Sequence, residues 1–390
     1  MRVIYDVRGA QTPHHPERGI PRYIVSSFAA LAQRSDLGDL YALVDPDRAA
    51  PDGVARAASP RHLLTLDGLA SALDGADAVV HHIGSTFELD WTRRQLVPPV
   101  LDDARVIRAA TVYDALPVRL PETYVPWTRE PWYPRLWRYR ADVIRSADLV
   151  LCISDFSAAE AVRAFELDER RVRVVGIGVP PARPDDGGPL ELPGLEPRFV
   201  LYSGGAEHPR KNLPRLVRAF GRLDERLRHA HKLVIASRML PELRSLLLEE
   251  ARAASVEDRV LFAGFVDDDV LARLYARCAC FVYPSLYEGF GLPIAEAMSH
   301  GAPVVASATT ACGDVVGDPR ATFDPEDEAS IAAVLSRVLE DSTLAAELGT
   351  TGRERAKRYR WEHVADALVA AYREFAGSVG SSGLATTKQG

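Results

Sequence analysis

Cysteine is scarce in this chain and positive charge is not in excess, and each shortage excludes a class of protein. The 390 residues contain four cysteines, and the two closest ones have no second pair at a matching spacing. A disulfide framework or a zinc site is therefore not expected, and reduced thiols are predicted at Cys152, Cys278, Cys280 and Cys312. The net charge of −7 provides no general basic field, so a nucleic-acid partner is not expected either.

Long apolar runs are also missing. No run of about 18 apolar residues occurs, so the sequence predicts no membrane-spanning helix. The first eight residues have the pattern of a strand and lack the apolar region of a signal peptide, which predicts a cytoplasmic protein. The 47% hydrophobic and 26% charged content is that of a globular protein, and a length of 390 residues suggests two domains.

Strand-like and helix-like segments alternate along both halves of the chain. This alternation predicts an α/β protein with two doubly wound parallel sheets. Proline and glycine crowd the stretch 180–197, which marks a linker. We predict an N-terminal domain at 1–182, a C-terminal domain at 183–357, a terminal amphipathic helix at 358–376 and a disordered tail at 377–390.

Two helix starts carry specific expectations. A helix predicted at 23–33 follows a turn-rich loop that contains Gly19 and Pro21, and the proline is expected to stiffen that loop. A second helix follows the apolar strand predicted at 146–154, and Ser154 or Asp155 is expected to be its N-cap.

The stretch 283–298 combines a strand, a glycine-bearing turn and a helix start. The turn spans Gly289 to Gly291, and Pro293 suits the first turn of a helix. Such a unit directs free backbone N–H groups and a positive dipole end toward an anion. Two acids flank the turn, Glu288 and Glu296, with seven residues between them. The arrangement indicates half of a nucleotide site at the carboxyl edge of a parallel sheet.

This motif resembles the signature of the retaining glycosyltransferases of family 4. The two acids at fixed spacing enclose Gly-Phe-Gly-Leu-Pro, and the opening Gly-Ala-Gln-Thr with Arg-Gly-Ile-x-Arg-Tyr resembles bacterial polysaccharide and O-antigen mannosyltransferases. The resemblance implies the GT-B architecture, in which two Rossmann-like domains face a cleft. The competing interpretation is a buried turn followed by an ordinary helix-start glutamate.

The resemblance implies a nucleoside diphosphate sugar as donor substrate, with no further cofactor and no metal. In that interpretation Glu288 holds hydroxyls of the donor sugar, Glu296 accepts from the ribose, and Arg210 and Lys211 bind the pyrophosphate. Alternatively, the two cations are solvated surface charges. The remaining donor-binding candidates are Gly19, Gly204, Gly205, Phe265, Val266, Gly289, Phe290, Gly291 and Leu292.

The chain departs from the family pattern at three positions. Pro21 replaces a glycine, Tyr113 replaces a histidine near the reacting sugar, and Gly205 stands where an arginine is frequent. Asp114 is kept and is a catalytic candidate for the acceptor contact. The departures keep open a catalytically silent nucleotide-sugar-binding or scaffold protein.

Acceptor contacts are predicted for His82, Tyr113 and Trp127. For the pair His81–His82 the alternative is that one histidine satisfies a backbone carbonyl. Trp127 belongs to a segment at 124–139 that is rich in aromatic and basic residues. This segment has three competing interpretations, which are an acceptor platform, a peripheral contact with the inner face of a membrane, and packing within the domain.

The predicted function is retaining transfer of a sugar from a GDP-mannose-like or UDP-sugar donor. The acceptor is a hydroxyl of a saccharide, a lipid-linked or a natural-product molecule. Both acids flank one turn on one side, so they do not form the pair of opposed carboxylates found in glycoside hydrolases. The resemblance to the family implies attack on the front face, with the leaving phosphate taking the acceptor proton. A related sugar phosphorylase or epimerase is the enzymatic alternative.

Overall fold

The computed structural model describes residues 1–11, 19–58, 62–86, 93–119, 133–185, 187–206 and 209–379. It divides into two compact units. The first comprises Met1–Gly178 together with the chain from Arg360 onward, and the second is Val179–Tyr359. The boundaries drawn on the sequence lay after residues 182 and 357, within a few residues of these.

The first unit is built on a seven-stranded sheet in the order β3-β2-β1-β4-β5-β6-β7, with every described pair parallel. Its central strands are almost entirely buried, as parallel strands covered by helices on both faces require, although they include the polar residues His81, His82 and Thr111. The strands are β1 Arg2–Asp6, β2 Leu40–Leu43, β3 Leu63–Leu64, β4 Val79–Ile83, β5 Val106–Val112, β6 Leu149–Cys152 and β7 Val172–Val174.

Helices connect these strands. They are α1 Gly19–Ala32, α2 Asp52–Ala57, α3 Leu69–Leu73, α4 Arg93–Leu96, α5 Leu116–Arg119, α6 Tyr133–Arg145 and α7 Asp155–Phe165. At the start of α7 the Ser157 backbone N–H donates to the Ser154 side chain and the Ser154 N–H donates to Ser157 Oγ, both at 2.9 Å. This capping box confirms Ser154, and not Asp155, as the N-cap.

The start of α1 corrects one prediction. The helix begins at Gly19, four residues before the predicted start, so Pro21 lies in its first turn. A proline is tolerated there because the first backbone N–H groups of a helix have no intrahelical partner. Pro21 therefore belongs to a helix and not to a stiffened loop. Among the described residues, none has an atom within 4 Å of the position that a Cβ on Gly19 would take.

The second unit contains a six-stranded sheet in the order β10-β9-β8-β11-β12-β13, again with every described pair parallel. The strands are β8 Phe199–Ser203, β9 Lys232–Ala236, β10 Val260–Phe262, β11 Cys280–Tyr283, β12 Val304–Ser307 and β13 Thr322–Phe323. The helices are α8 Leu213–Gly221, α9 Glu225–Ala230, α10 Pro241–Ala253, α11 Asp268–Arg277, α12 Leu292–Ser299, α13 Thr310–Val316, α14 Glu328–Glu340 and α15 Ser342–Ala356.

The last helix, α16 Trp361–Val379, belongs to the first unit. Its Trp361 ring meets Tyr23 of α1 edge-on, with the ring centroids 5.4 Å apart. Its Tyr372 hydroxyl lies 2.6 Å from Nδ1 of His82 on β4. The helix continues to Val379, so 377–379 are helical and not part of a disordered tail. The rest of the predicted tail, 380–390, lies outside the described residues.

Two predictions from the sequence can be compared with the structure, and they concern the cysteines and membrane-spanning helices. All four cysteines are free and buried. Burial raises the pKa of the Cys152 and Cys278 thiols to about 12, as expected for packing residues. Across the described ranges, no helix has both the length and the apolar character needed to cross a membrane.

Candidate active site

The candidate site lies in the second unit at the carboxyl edge of its sheet. Strands β8 and β11 are neighbours, with Val200 opposite Cys280, so the turns that follow them emerge side by side. Gly204, at the end of β8, has a φ of +123°, which favours glycine. A Cβ there would come within 3.4 Å of the Pro293 ring at the start of α12. The edge of a doubly wound sheet at such a point is where this architecture binds ligands.

Two cations and one carboxylate occupy this edge. Arg210 Nη1 and Lys211 Nζ each lie 2.5 Å from Oε1 of Glu288. Lys211 retains 8% of its surface and Glu288 retains 9%, so neither is a solvated surface charge. The interpretation of Arg210 and Lys211 as solvated surface charges is therefore wrong.

Two hydroxyls complete the surroundings of the Glu288 carboxylate. Ser285 Oγ donates at 2.7 Å and Tyr283 OH at 3.0 Å, and both bonds end on Oε1. The Lys211 ammonium also donates to the Tyr283 hydroxyl at 2.7 Å. Among the described residues, all four side-chain donors thus converge on one carboxylate oxygen. Oε1 is held by these four bonds, and no hydrogen bond from a described residue ends on Oε2.

The charges in this cluster set its ionisation. Burial acts to raise the pKa of Glu288, but the positive charges of Arg210 and Lys211 and hydrogen bonds from Lys211 and Ser285 lower it to about 2. Burial lowers the pKa of Lys211 below its ordinary value, against the opposing pull of Glu288. The Glu288 carboxylate is therefore ionised at neutral pH, and it faces the Arg210 and Lys211 side chains.

Hydrogen bonds to backbone groups connect the two segments that carry these charges. The Leu286 N–H donates to the Arg210 carbonyl at 2.7 Å, and Arg210 Nη1 donates to the Tyr287 carbonyl at 2.9 Å. Asn212 has a φ of +62°, a region that asparagine tolerates better than most residues. Its side-chain amide donates to the Pro284 carbonyl at 3.0 Å. Asn212 was not among the site residues predicted from the sequence, although it directly follows Lys211.

The glycine turn leads directly into α12. Gly291 is the N-cap of that helix and has a φ of +92°, so an L side chain would be strained there. The helix begins at Leu292, which puts Pro293 in its first turn as the sequence predicts. Phe290 is buried, and its ring meets Tyr359 edge-on with centroids 5.1 Å apart. With Gly289, these residues bring backbone close to the Glu288 cluster.

The second acid has a separate partner. The Tyr275 hydroxyl donates to Glu296 Oε2 at 3.3 Å and makes a 2.7 Å hydrogen bond with Ser203 Oγ. Tyr275 is buried. It was not predicted from the sequence, because its hydrogen bond to Glu296 joins residues on two different helices. Glu296 is therefore held in place from α11, independently of the contacts that hold Glu288.

Three further donor-site candidates lie on loops of the same unit. The Phe265 side chain is 61% exposed, and the Arg238 guanidinium lies 5.3 Å from its ring centroid. Val266 follows it directly. Gly205 is exposed, its carbonyl accepts from the Tyr202 hydroxyl at 2.8 Å, and a Cβ on it would meet open space.

The acceptor candidates lie in the first unit. His82 is fully buried, with Nε2 2.6 Å from Thr111 Oγ1 and Nδ1 bonded to Tyr372, so the predicted acceptor contact does not fit and His82 has a packing role. The half-buried Tyr113 donates to the Gly84 carbonyl at 2.7 Å. Asp114 accepts from the Leu116 N–H at 3.0 Å. Trp127 lies outside the described residues.

Comparison with known proteins decides the family. The family model described as glycosyl transferases group 1 matches residues 191–355. The O-antigen chain mannosyltransferase B of Escherichia coli is 31% identical over 278 residues, which are 69% of this chain and 71% of that protein. The chain belongs to the group 1 glycosyl transferases. The matched residues include Arg210, Lys211, Glu288 and Glu296.

Solved structures agree on the fold of this glycosyltransferase. Sucrose-phosphate synthase from Thermosynechococcus elongatus aligns with a TM-score of 0.69 at 21% identity, covering 97% of this chain and all of that chain (100%). HepE of Anabaena, in complex with UDP and glucose, aligns with a TM-score of 0.68 at 15% identity, covering 98% and 100%. The predicted GT-B fold is thereby confirmed.

Proposed function

We propose that this glycosyltransferase transfers a sugar from a nucleoside diphosphate sugar to an acceptor hydroxyl with retention of anomeric configuration. The observation that carries the proposal is the convergence of Arg210, Lys211 and Glu288 at the carboxyl edge of the second sheet. Charged side chains this far buried destabilise a fold unless they are paired. We propose that Arg210 and Lys211, which Glu288 holds in place, also bind the anionic part of the donor.

The donor diphosphate supplies that anion in our proposal. Breaking the anomeric C–O bond leaves negative charge on the departing diphosphate and positive character on the sugar ring. Lys211, Arg210 and the backbone N–H groups at Gly291 and Leu292 stabilise the diphosphate. This electrostatic support takes the place that a divalent cation has in other transferases, so we propose a reaction without metal.

Glu288 and Glu296 have different roles in the proposed reaction. Glu288 Oε1 stays with the cations, while Oε2 accepts from a hydroxyl of the donor sugar and favours the ring cation. Glu296 accepts from the ribose hydroxyls. The acceptor oxygen attacks on the face that the diphosphate leaves, and its proton passes to the leaving phosphate oxygen. Each bond formed is thus balanced by one broken, and no protein nucleophile is needed.

The relatives suggest the substrates. O-antigen chain mannosyltransferase B is named for mannosyl transfer, so we propose GDP-mannose as the first donor to test. A UDP-sugar is the alternative, since HepE binds UDP and glucose in its structure. The proposed acceptor is a growing saccharide, free or lipid-linked, met in the cytoplasm or at the inner face of the membrane.

The test is a donor panel of GDP-, UDP- and dTDP-sugars assayed with a mannose-terminated oligosaccharide. We expect acceptor-dependent release of nucleoside diphosphate, a product with the donor's anomeric configuration by NMR, and full activity in EDTA. Release of sugar 1-phosphate from the oligosaccharide only when inorganic phosphate is added would favour a phosphorylase, and binding without turnover across the panel would favour a silent protein. Inversion of configuration, or loss of activity in EDTA that magnesium restores, would overturn the corresponding part of the proposal.

A further inference from the structure

We infer that Thr310 is a positioning residue that fixes Glu288 for sugar transfer, at the expense of a strained backbone. The inference rests on the proposed function of Glu288. Thr310 begins α13 and is half-buried. It was not singled out in the sequence, because nothing in its neighbourhood forms a motif.

The backbone of Thr310 is the first line of evidence. Its φ is +59°, in the left-handed region. Residues branched at Cβ rarely adopt this region, because the side chain crowds the neighbouring carbonyl. Among the described residues, the other non-glycine positions with positive φ are Glu166, Asn212 and Ser255, which are not β-branched. Strain of this kind persists where surrounding contacts over-determine the conformation, and it concentrates at functional sites.

The surrounding contacts are of the kind that would hold such a conformation. The Ala308 N–H donates to the Phe323 carbonyl at 2.7 Å, which fixes the turn before α13 to β13. Gly313 packs against that turn so closely that a Cβ on it would lie 2.8 Å from the Ala308 carbonyl oxygen. Ser307 Oγ donates to the Ser285 carbonyl at 2.6 Å, which ties the same turn to the Glu288 loop.

Thr310 and its neighbour hold both polar backbone groups of Glu288. The Glu288 N–H donates to Thr310 Oγ1 at 3.3 Å. The Glu288 carbonyl accepts from the Ala311 N–H at 3.5 Å. The left-handed turn at Thr310 places the Thr310 hydroxyl and the Ala311 N–H on the same side. The backbone N–H and the backbone carbonyl of Glu288 are therefore both hydrogen-bonded to this turn.

These backbone hydrogen bonds act together with the hydrogen bonds that hold the Glu288 side chain. Arg210, Lys211, Ser285 and Tyr283 fix Oε1, while Thr310 fixes the backbone from which the side chain extends. With both ends fixed, the direction of Oε2 is determined. A small displacement of a group that acts on the reacting sugar lowers the rate steeply, while diphosphate binding by the cations continues.

The test compares three substitutions at Thr310 in the full chain. Thr310→Ala removes the hydroxyl, Thr310→Gly also relieves the left-handed strain, and Thr310→Ser keeps the hydroxyl. We expect kcat to fall about tenfold in the first two with donor KM changed less than about twofold, and Ser to restore near-normal kcat. Thr310→Gly should raise the Tm by about 2 °C, because glycine adopts this φ freely. The exposed neighbour Thr309, whose side chain makes no capping bond, gives the matched control T309A.

A double-mutant comparison separates this inference from the function on which it rests. If Thr310 acts through Glu288, adding T310A to Glu288→Gln should lower kcat no further. An inactive E288Q beside a fully active T310A would overturn the inference alone, as would a tenfold loss that recurs in the E288Q background. Full activity of E288Q would overturn the proposed function, and this inference with it.

Discussion

At the residue scale, the site depends on one oxygen atom. Oε1 of Glu288 receives two cationic and two hydroxyl donors, and this concentration keeps the carboxylate ionised in a buried place. The arrangement also keeps Arg210 and Lys211 in position before any donor arrives. Removing either side of the pairing would leave buried charge without its partner, which costs more than the pair contributes when intact.

The first prediction concerns turnover. Glu288→Gln and Lys211→Ala should each lower kcat about 100-fold, because each removes a preorganised charge that acts on the transition state. Steady-state release of nucleoside diphosphate with the best donor measures this. Glu326→Gln, an exposed acid of the same unit, is the matched control and should keep wild-type kcat. Near-normal turnover in both site variants would remove this site from the reaction.

The second prediction restores a cation at Gly205. The position is exposed and a Cβ there meets open space, so Gly205→Arg should fold normally and add a positive charge beside the diphosphate. We expect donor KM to fall about fivefold, in the range of one partly exposed charge-assisted contact. Gly205→Ala is the steric control and should leave KM unchanged. A higher KM in the arginine variant would mean that the diphosphate does not lie near this turn.

The third prediction concerns alkaline pH. Burial lowers the pKa of Lys211 below the ordinary lysine value of 10.5, so its positive charge is lost earlier than that of an ordinary lysine as pH rises. The protonated form binds the diphosphate, so kcat/KM for donor should fall on the alkaline side, below pH 10.5. Lys211→Arg keeps its charge over this range and should move the fall to higher pH. An identical profile in both proteins would exclude Lys211 as the titrating group.

At the element scale, local chemistry explains what the sequence could predict. The capping box at Ser154, the proline in the first turn of α12 and the glycine turn at 289–291 are set by neighbours in the chain. The ion pair between Arg210 and Glu288 joins residues 78 positions apart, and no local pattern encodes it. Thr310 and Tyr275 were missed for the same reason, since their roles exist only once separate elements pack together.

The capping box gives the fourth prediction. Ser154→Ala removes the acceptor of the Ser157 N–H, so the free energy of unfolding should drop by about 1 kcal/mol. Urea denaturation of the full chain measures the change. Ser342→Ala is the control, because Ser342 begins α15 exposed while Asp341 caps that helix. Equal effects in the two variants would contradict a stabilising role for the box.

At the scale of the whole molecule, the proposed diphosphate site and the predicted acceptor contacts lie in separate units. The family match at 191–355 falls entirely within the second unit, together with both signature glutamates and both cations. The chain enters and leaves that unit at one place, where the Val179 N–H donates to the Tyr359 carbonyl at 3.0 Å. The alternation of strands and helices along the sequence was enough to predict two parallel sheets. The burial of His82 could not be predicted in this way, because it depends on α16 packing against β4.

The central claim is that the Arg210–Lys211–Glu288 cluster binds the donor diphosphate. Calorimetric titration of the full chain with GDP and UDP, comparing wild type with Lys211→Ala, tests it most directly. We predict that the nucleotide bound by wild type binds at least tenfold more weakly to the variant, since one charge-assisted contact is lost. Equal affinity in the two proteins, with both folded, would contradict the claim.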